Sequence, residues 1–166
     1  MPNFDFLVGQ KAVYPSHGVA VIENIESCNI GGQAQDFYVL KIQGSGAKVM
    51  VPTSAARSCG LRSVIEQPEV EKIYNILKTP CKKNSSTPWN RRFRALTEKM
   101  GTGSLEDVAE VLRDLTSLQS SKELSFGEKK MLEKAQHMIV SELSAAQNKE
   151  STTIELEIRK FLVATV

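Results

Sequence analysis

Histidine, cysteine and aromatic side chains are scarce in this sequence. Two histidines, three cysteines and one tryptophan are spread over 166 residues, and aromatic residues make up 6%. Cys28, Cys59 and Cys81 are odd in number, widely spaced and far from either histidine. They suggest neither a disulfide framework nor a zinc site, and three unpaired thiols in a reducing compartment are the expected state. No apolar run approaches the roughly 18–20 residues of a membrane span. Met1 to Gln10 lacks the basic region, apolar core and small-residue cleavage site of a secretory signal. A cytoplasmic protein with no membrane partner is therefore expected.

The residues that catalysis would need are also missing from any plausible arrangement. His17 follows Tyr14-Pro15 in a turn cluster, and His137 lies in a helical stretch of the other half of the chain. Both read as structural or surface histidines. Glu106 and Asp107 are adjacent, and adjacent helical residues point apart. They sit in a first helical turn, where acids favour the dipole. Gly44-Ser45-Gly46 has no Lys-Ser/Thr at phosphate-loop spacing and reads as a hairpin turn. No enzyme activity, no cofactor, no metal site and no small-molecule substrate are expected.

What the sequence does contain divides in two. Lys11–Tyr14, Val19–Ile25, Phe37–Ile42 and Lys48–Val51 are short β-branched or apolar runs. Turn signals separate them, namely Pro15-Ser16-His17-Gly18, Asn29-Ile30-Gly31-Gly32 and Gly44-Ser45-Gly46. This spacing predicts a small antiparallel sheet or barrel. After Pro68 the period becomes helical. Val70, Ile73, Tyr74 and Leu77 share one helix face, and Lys78 to Thr87 reads as a linker. Thr87-Pro88 predicts an N-cap followed by proline at the first helical position. Gly101 and Gly103 end that helix, and Ser104 opens another. Ser125-Phe126-Gly127-Glu128 has the spacing of a capping box, and Thr152 with Glu155 repeats it. The fold class is α+β in two modules, with a β module followed by a helical bundle of four or five segments.

Charge is distributed unevenly. The chain carries a formal +2, too little to imply a polyanionic partner. Residues 81–99, however, hold Lys82, Lys83, Arg91, Arg92, Arg94 and Lys99 against Glu98 alone, a local +5 that leaves the remainder at −3. A localised basic segment is the footprint of nucleic-acid binding. Trp89, the sole tryptophan, lies within it. Two readings of Trp89 stand side by side. Helical periodicity places it with Phe93, Leu96 and Met100, a stripe that is normally core. Its place in the first turn also lets it overhang the bundle, where an apolar wedge flanked by cations suits a deformed minor groove.

These segments, in this order, resemble the CarD/CdnL family of bacterial RNA polymerase-binding transcription regulators, in its short standalone form. The similarity is carried by Val13-Tyr14-Pro15 with His17-Gly18, Phe37-Tyr38-Val39-Leu40 and Val49-Met50-Val51-Pro52. It continues through Trp89-Asn90-Arg91-Arg92-Phe93-Arg94, Ala109 to Leu115 and Leu124 to Leu132. The resemblance implies a Tudor-like, SH3-like small β-barrel over residues 1–66 and a helical DNA-binding domain over 67–166. The barrel would dock on the RNA polymerase β subunit by a strand edge, with Val39, Met50 and Pro52 in the contact region. Cys28 stands where some members carry a basic, polymerase-contacting residue. The helical domain would meet promoter DNA at the upstream edge of the −10 bubble. Trp89 would enter the minor groove, and Arg91, Arg92 and Lys129 would hold backbone phosphates. The expected consequence is a stabilised open complex, in a protein associated with the nucleoid through the polymerase. The alternative is a protein-interaction adaptor with a buried Trp89 and no DNA contact.

Overall fold

The computed structural model describes residues 4–15, 17–81 and 88–164. Ser16, Thr87 and the basic residues Lys82 and Lys83, all invoked from the sequence, lie outside the described residues. The chain forms two compact units, Met1–Val64 and Ile65–Val166.

The first unit is built on β1 (Lys11–Tyr14), β2 (Gly18–Ile30), β3 (Gln33–Ile42), β4 (Lys48–Pro52) and β5 (Arg62–Ser63). All pair antiparallel in the order β4-β3-β2-β1-β5, so β4 is an edge strand. The β2–β3 hairpin turns at Gly31-Gly32, both at positive φ (61° and 83°). Glycine adopts that conformation without a Cβ clash. A register shift between Ile22 and Asn24 marks a bulge in β2. Ala12, Ala20, Ile22, Tyr38, Leu40, Ile42, Val51 and Leu61 close into one core with Phe6. Every strand up to β4 contributes to it, the arrangement of the expected Tudor-like small barrel. Tyr38 anchors this core with its ring edge-on to Phe6 and its hydroxyl accepting from the Phe6 N–H at 3.3 Å.

His17 closes the β1–β2 turn, donating its backbone N–H to the Tyr14 carbonyl at 3.1 Å, and its ring tilts against that of Tyr14. Nearby, Gly60 has φ +89°, and a Cβ there would lie 2.6 Å from Pro15 Cγ. Gly60→Ala combines backbone strain with this clash, so it is expected to destabilise the chain by roughly 1–3 kcal/mol. Urea denaturation of the full chain, followed by far-UV circular dichroism, measures the loss.

The second unit contains α1 (Gln67–Lys78), α2 (Trp89–Gly101), α3 (Leu105–Ser121), α4 (Phe126–Gln147) and α5 (Ser151–Ala164). α3 packs against α1, α2 and α4, and α5 closes on α1 and α4. Val70, Ile73, Leu77, Val108, Leu112, Leu115, Ile139, Leu143 and Ile154 are almost wholly withdrawn from solvent in one core. Asn148 ends α4 in the left-handed conformation (φ 52°), a C-terminal geometry that asparagine tolerates. The buried Glu142 of α4 accepts the Ile65 N–H at 3.1 Å, tying the start of this unit to its longest helix.

Two helix starts differ from expectation. Pro88 occupies the N-cap of α2 rather than its first helical position. Its ψ of 145° is extended, and its carbonyl accepts the Arg92 N–H at 3.0 Å. α5 begins at Ser151, with the Glu150 carbonyl accepting from Ile154 at 3.3 Å. Thr152 therefore lies inside the first turn and caps nothing from the N-cap position. Spacing alone does not distinguish two frames offset by one or two residues.

Candidate nucleic-acid interface

The basic segment meets the start of α4 at one buried carboxylate. The capping box at Ser125-Glu128 forms as its spacing predicts. Ser125 Oγ accepts the Glu128 N–H at 3.2 Å, and Glu128 Oε1 accepts the Ser125 N–H at 3.2 Å. The same carboxylate has two further donors from α2. The indole Nε1–H of Trp89 reaches Oε1 at 3.2 Å, and the Arg92 guanidinium reaches Oε2 at 3.2 Å. Glu128 is only 2% exposed, a burial that a carboxylate tolerates when it is paired and hydrogen-bonded.

Burial by itself pushes the Glu128 carboxyl up. The hydrogen bonds from Ser125, the indole N–H and the Arg92 charge outweigh it and hold the group below the usual glutamate value. A carboxyl depressed on folding stabilises the fold above its unfolded pKa, and that stability is lost as pH falls through the folded one. The helical unit is thus expected to lose stability as pH drops below the ordinary glutamate value near 4.5. Glu128→Gln should flatten that part of a plot of denaturation midpoint against pH.

Trp89 is 46% exposed, whereas Leu96 and Met100 on the same helix face are buried. The stripe read from periodicity is therefore core at its C-terminal end only. The indole overhangs the bundle, stacked on Phe93 with centroids 5.2 Å apart and planes 13° from parallel. Phe93 can lie this close to α4 because residue 127 is glycine. A Cβ at Gly127 would meet the Phe93 ring at 3.2 and 3.3 Å. The overhang removes the premise of the adaptor alternative, which needed a buried Trp89.

The other expected contact residues differ in their setting. Arg91 and Arg94 are exposed on α2. Arg92 is not: its side chain is 21% exposed and faces inward on Glu128, and its buried Nε has no hydrogen-bond partner among the described residues. Lys129 is half exposed, with Glu123 at 3.4 Å. Lys99 pairs with Glu110 at 2.8 Å. Phe126, beside this cluster, is the most exposed large apolar side chain of the described residues, and the Lys130 ammonium lies 4.6 Å from its ring centroid. Sequence reading passed over Phe126, Gly127 and the second role of Glu128. The Ser-x-x-Glu spacing marked that segment as a helix start, and the family resemblance over Leu124 to Leu132 singled out Lys129 alone.

In the β unit, Met50 and Val39 are direct cross-strand partners on β4 and β3, with Pro52 opposite Phe37. Met50 is 46% exposed, while Val39 is 8% exposed. Strand alternation puts Val39 on the face opposite to Tyr38 and Leu40. Met50 and the half-buried Pro52 thus offer surface on an edge strand, and Val39 backs them.

None of the cysteines forms a disulfide. Burial, then a hydrogen bond and charge from Asp114, push the Cys81 thiol up to about 11, so it stays protonated at neutral pH. Among the described residues, no group of three His, Cys, Asp or Glu side chains is placed to hold a metal ion. No described helix is long and apolar enough to cross a membrane.

Comparison with known proteins places both units. Residues 6–65 match the family model for the CarD-like/TRCF RID domain, and residues 72–159 match that for CarD, C-terminal domain. "Putative transcription factor YdeB" of Bacillus subtilis (strain 168) is 36% identical over 138 residues, covering 83% of this chain and 90% of that protein. Among solved structures, CdnLNt from Myxoccoccus xanthus is 40% identical, with a TM-score of 0.33, and the match covers 40% of this chain and 94% of that one.

Proposed function

The chain belongs to the CarD family of transcription regulators, and from that premise we propose that it binds RNA polymerase and promoter DNA together and stabilises the open complex. The single observation that carries the DNA half is Trp89. It is a large apolar side chain, half exposed, held at its N–H by a buried carboxylate and flanked by exposed arginines. A wedge held in this way favours a minor groove already unstacked or splayed. Arg91 and Lys129 supply phosphate contacts, whose counterion release adds affinity without sequence choice. Arg92 is committed to Glu128 and is not assigned a phosphate. Because a ligand shifts an equilibrium only by its differential affinity, the wedge must bind melted DNA better than closed duplex.

The polymerase half rests on the match of the β unit to the RID model and on the exposed edge of β4. An edge strand offers backbone hydrogen bonds and every second side chain to a partner strand. Met50 and Pro52 are the proposed side-chain contacts on the polymerase β subunit, with Val39 supporting Met50 from β3.

The test uses purified RNA polymerase on a promoter fragment, with open complexes challenged by a polyanionic competitor. Adding the protein should lengthen the open-complex lifetime severalfold. An unchanged lifetime at saturating protein would sink the proposal.

A further inference from the structure

The first turn of α4 does more than start a helix. Gly127 leaves room for Phe93, and Phe93 is the floor on which the Trp89 indole stacks. Glu128 then holds the indole at its edge through Nε1. The carboxylate is itself fixed by the Ser125 N–H on one side and the Arg92 guanidinium on the other. Floor and edge together oppose rotation about the two side-chain torsions of an overhanging tryptophan. An unheld indole at 46% exposure would sample several rotamers. A wedge that must be ordered on binding loses affinity to that ordering.

We propose that Glu128 is the positioning residue of the Trp89 wedge, with Arg92 and Gly127 as parts of the same seat. The proposal rests on the DNA-binding reading of Trp89 and goes beyond it. It assigns Arg92 to holding the carboxylate rather than to holding DNA. It also makes the capping residue of one helix the orienting group for a side chain on another.

The sole tryptophan makes the seat observable without DNA. The experiment compares wild type, Glu128→Ala, Glu128→Gln and Gly127→Ala in the full chain. Indole emission and steady-state anisotropy are read on the free protein, and open-complex lifetime is read with polymerase and promoter. Glu128→Ala should lower the anisotropy and shift the emission while far-UV circular dichroism stays helical. Glu128→Gln keeps an Oε1 acceptor for the indole and should recover most of the anisotropy. Gly127→Ala should disturb the emission with helical content unchanged, because the added methyl displaces Phe93. In the lifetime assay, Glu128→Ala should lose severalfold, and Trp89→Ala/Glu128→Ala should be no worse than Trp89→Ala alone.

Wild-type anisotropy in folded Glu128→Ala would overturn the proposal, as would a lifetime loss fully additive with that of Trp89→Ala. If Glu128→Ala fails to fold, Gly127→Ala and Arg92→Gln carry the test in its place. Wild-type emission in a folded Gly127→Ala together with wild-type anisotropy and lifetime in Arg92→Gln, which removes the ion pair and leaves the carboxylate, would then overturn it. Failure of the DNA reading is distinguishable. In that case the indole signals change as described, while Trp89→Ala leaves the open-complex lifetime untouched.

Discussion

Trp89→Ala is expected to shorten the lifetime of open promoter complexes about tenfold, the equivalent of roughly 1.4 kcal/mol of differential binding, with polymerase binding unchanged. The fold should survive because the indole is half exposed rather than packed in the core. Its loss removes one stack on Phe93 and one hydrogen bond to Glu128. Together these are worth about 2–4 kcal/mol. Glu128 keeps the Ser125 N–H and Arg92 as donors, so its carboxylate is not stranded. Leu96 provides the contrast on the same helix face. It is buried against the bundle, and Leu96→Ala should cost about 2–5 kcal/mol through transfer and cavity terms. The pair of variants separates a wedge from a core residue. A folded Trp89→Ala with wild-type lifetimes would eliminate the wedge. An unfolded one would return Trp89 to the core.

Met50→Glu should weaken polymerase binding about thirtyfold, the roughly 2 kcal/mol of a central interface contact, and leave the denaturation midpoint near wild type. The stability half of this expectation follows from exposure: Met50 lies on the outer strand of the sheet, and its side chain is half open to solvent. A charge there is hydrated in the free protein and must be desolvated on docking. Val51, the next residue, points into the barrel core, and Val51→Glu would unfold the unit instead. Binding is measured with immobilised polymerase, and the DNA-dependent lifetime at saturating protein should be little altered. Wild-type affinity in Met50→Glu would remove the β4 edge as the docking surface.

The local elements were largely legible because their signals are local. Gly31-Gly32 and Gly44-Ser45-Gly46 marked two of the hairpin turns, and Pro15 to Gly18 marked a third. The change from short β-branched runs to a 3.6-residue period after Pro68 marked the passage from the β unit to the helical unit. Ser125-x-x-Glu128 marked a helix start that the structure forms with both reciprocal hydrogen bonds. Even so, the same kind of signal at Thr152 and Glu155 misplaced the frame of α5, since a capping spacing is short enough to recur where no cap forms. Val39 and Met50 show a different limit. Both are apolar residues in apolar strands, and neither alternation nor propensity says which strand will be last in the sheet. Only the order β4-β3-β2-β1-β5 leaves Met50 open and Val39 nearly covered.

By itself, the sequence determined the two-module division, the helix and strand types, the basic segment and the family resemblance, because each is written in neighbouring residues or in their order. It also put Trp89 on a face with Phe93, Leu96 and Met100. It could not say where along that face the bundle stops, since the end of a core is set by which helices lie across it. Nor could it join Glu128 to Trp89 and Arg92, which are 39 and 36 residues away in the chain. Tertiary packing made that junction, bringing the first turn of α4 against the first turns of α2. A side chain that pattern alone would bury is thereby left overhanging the fold and held in place.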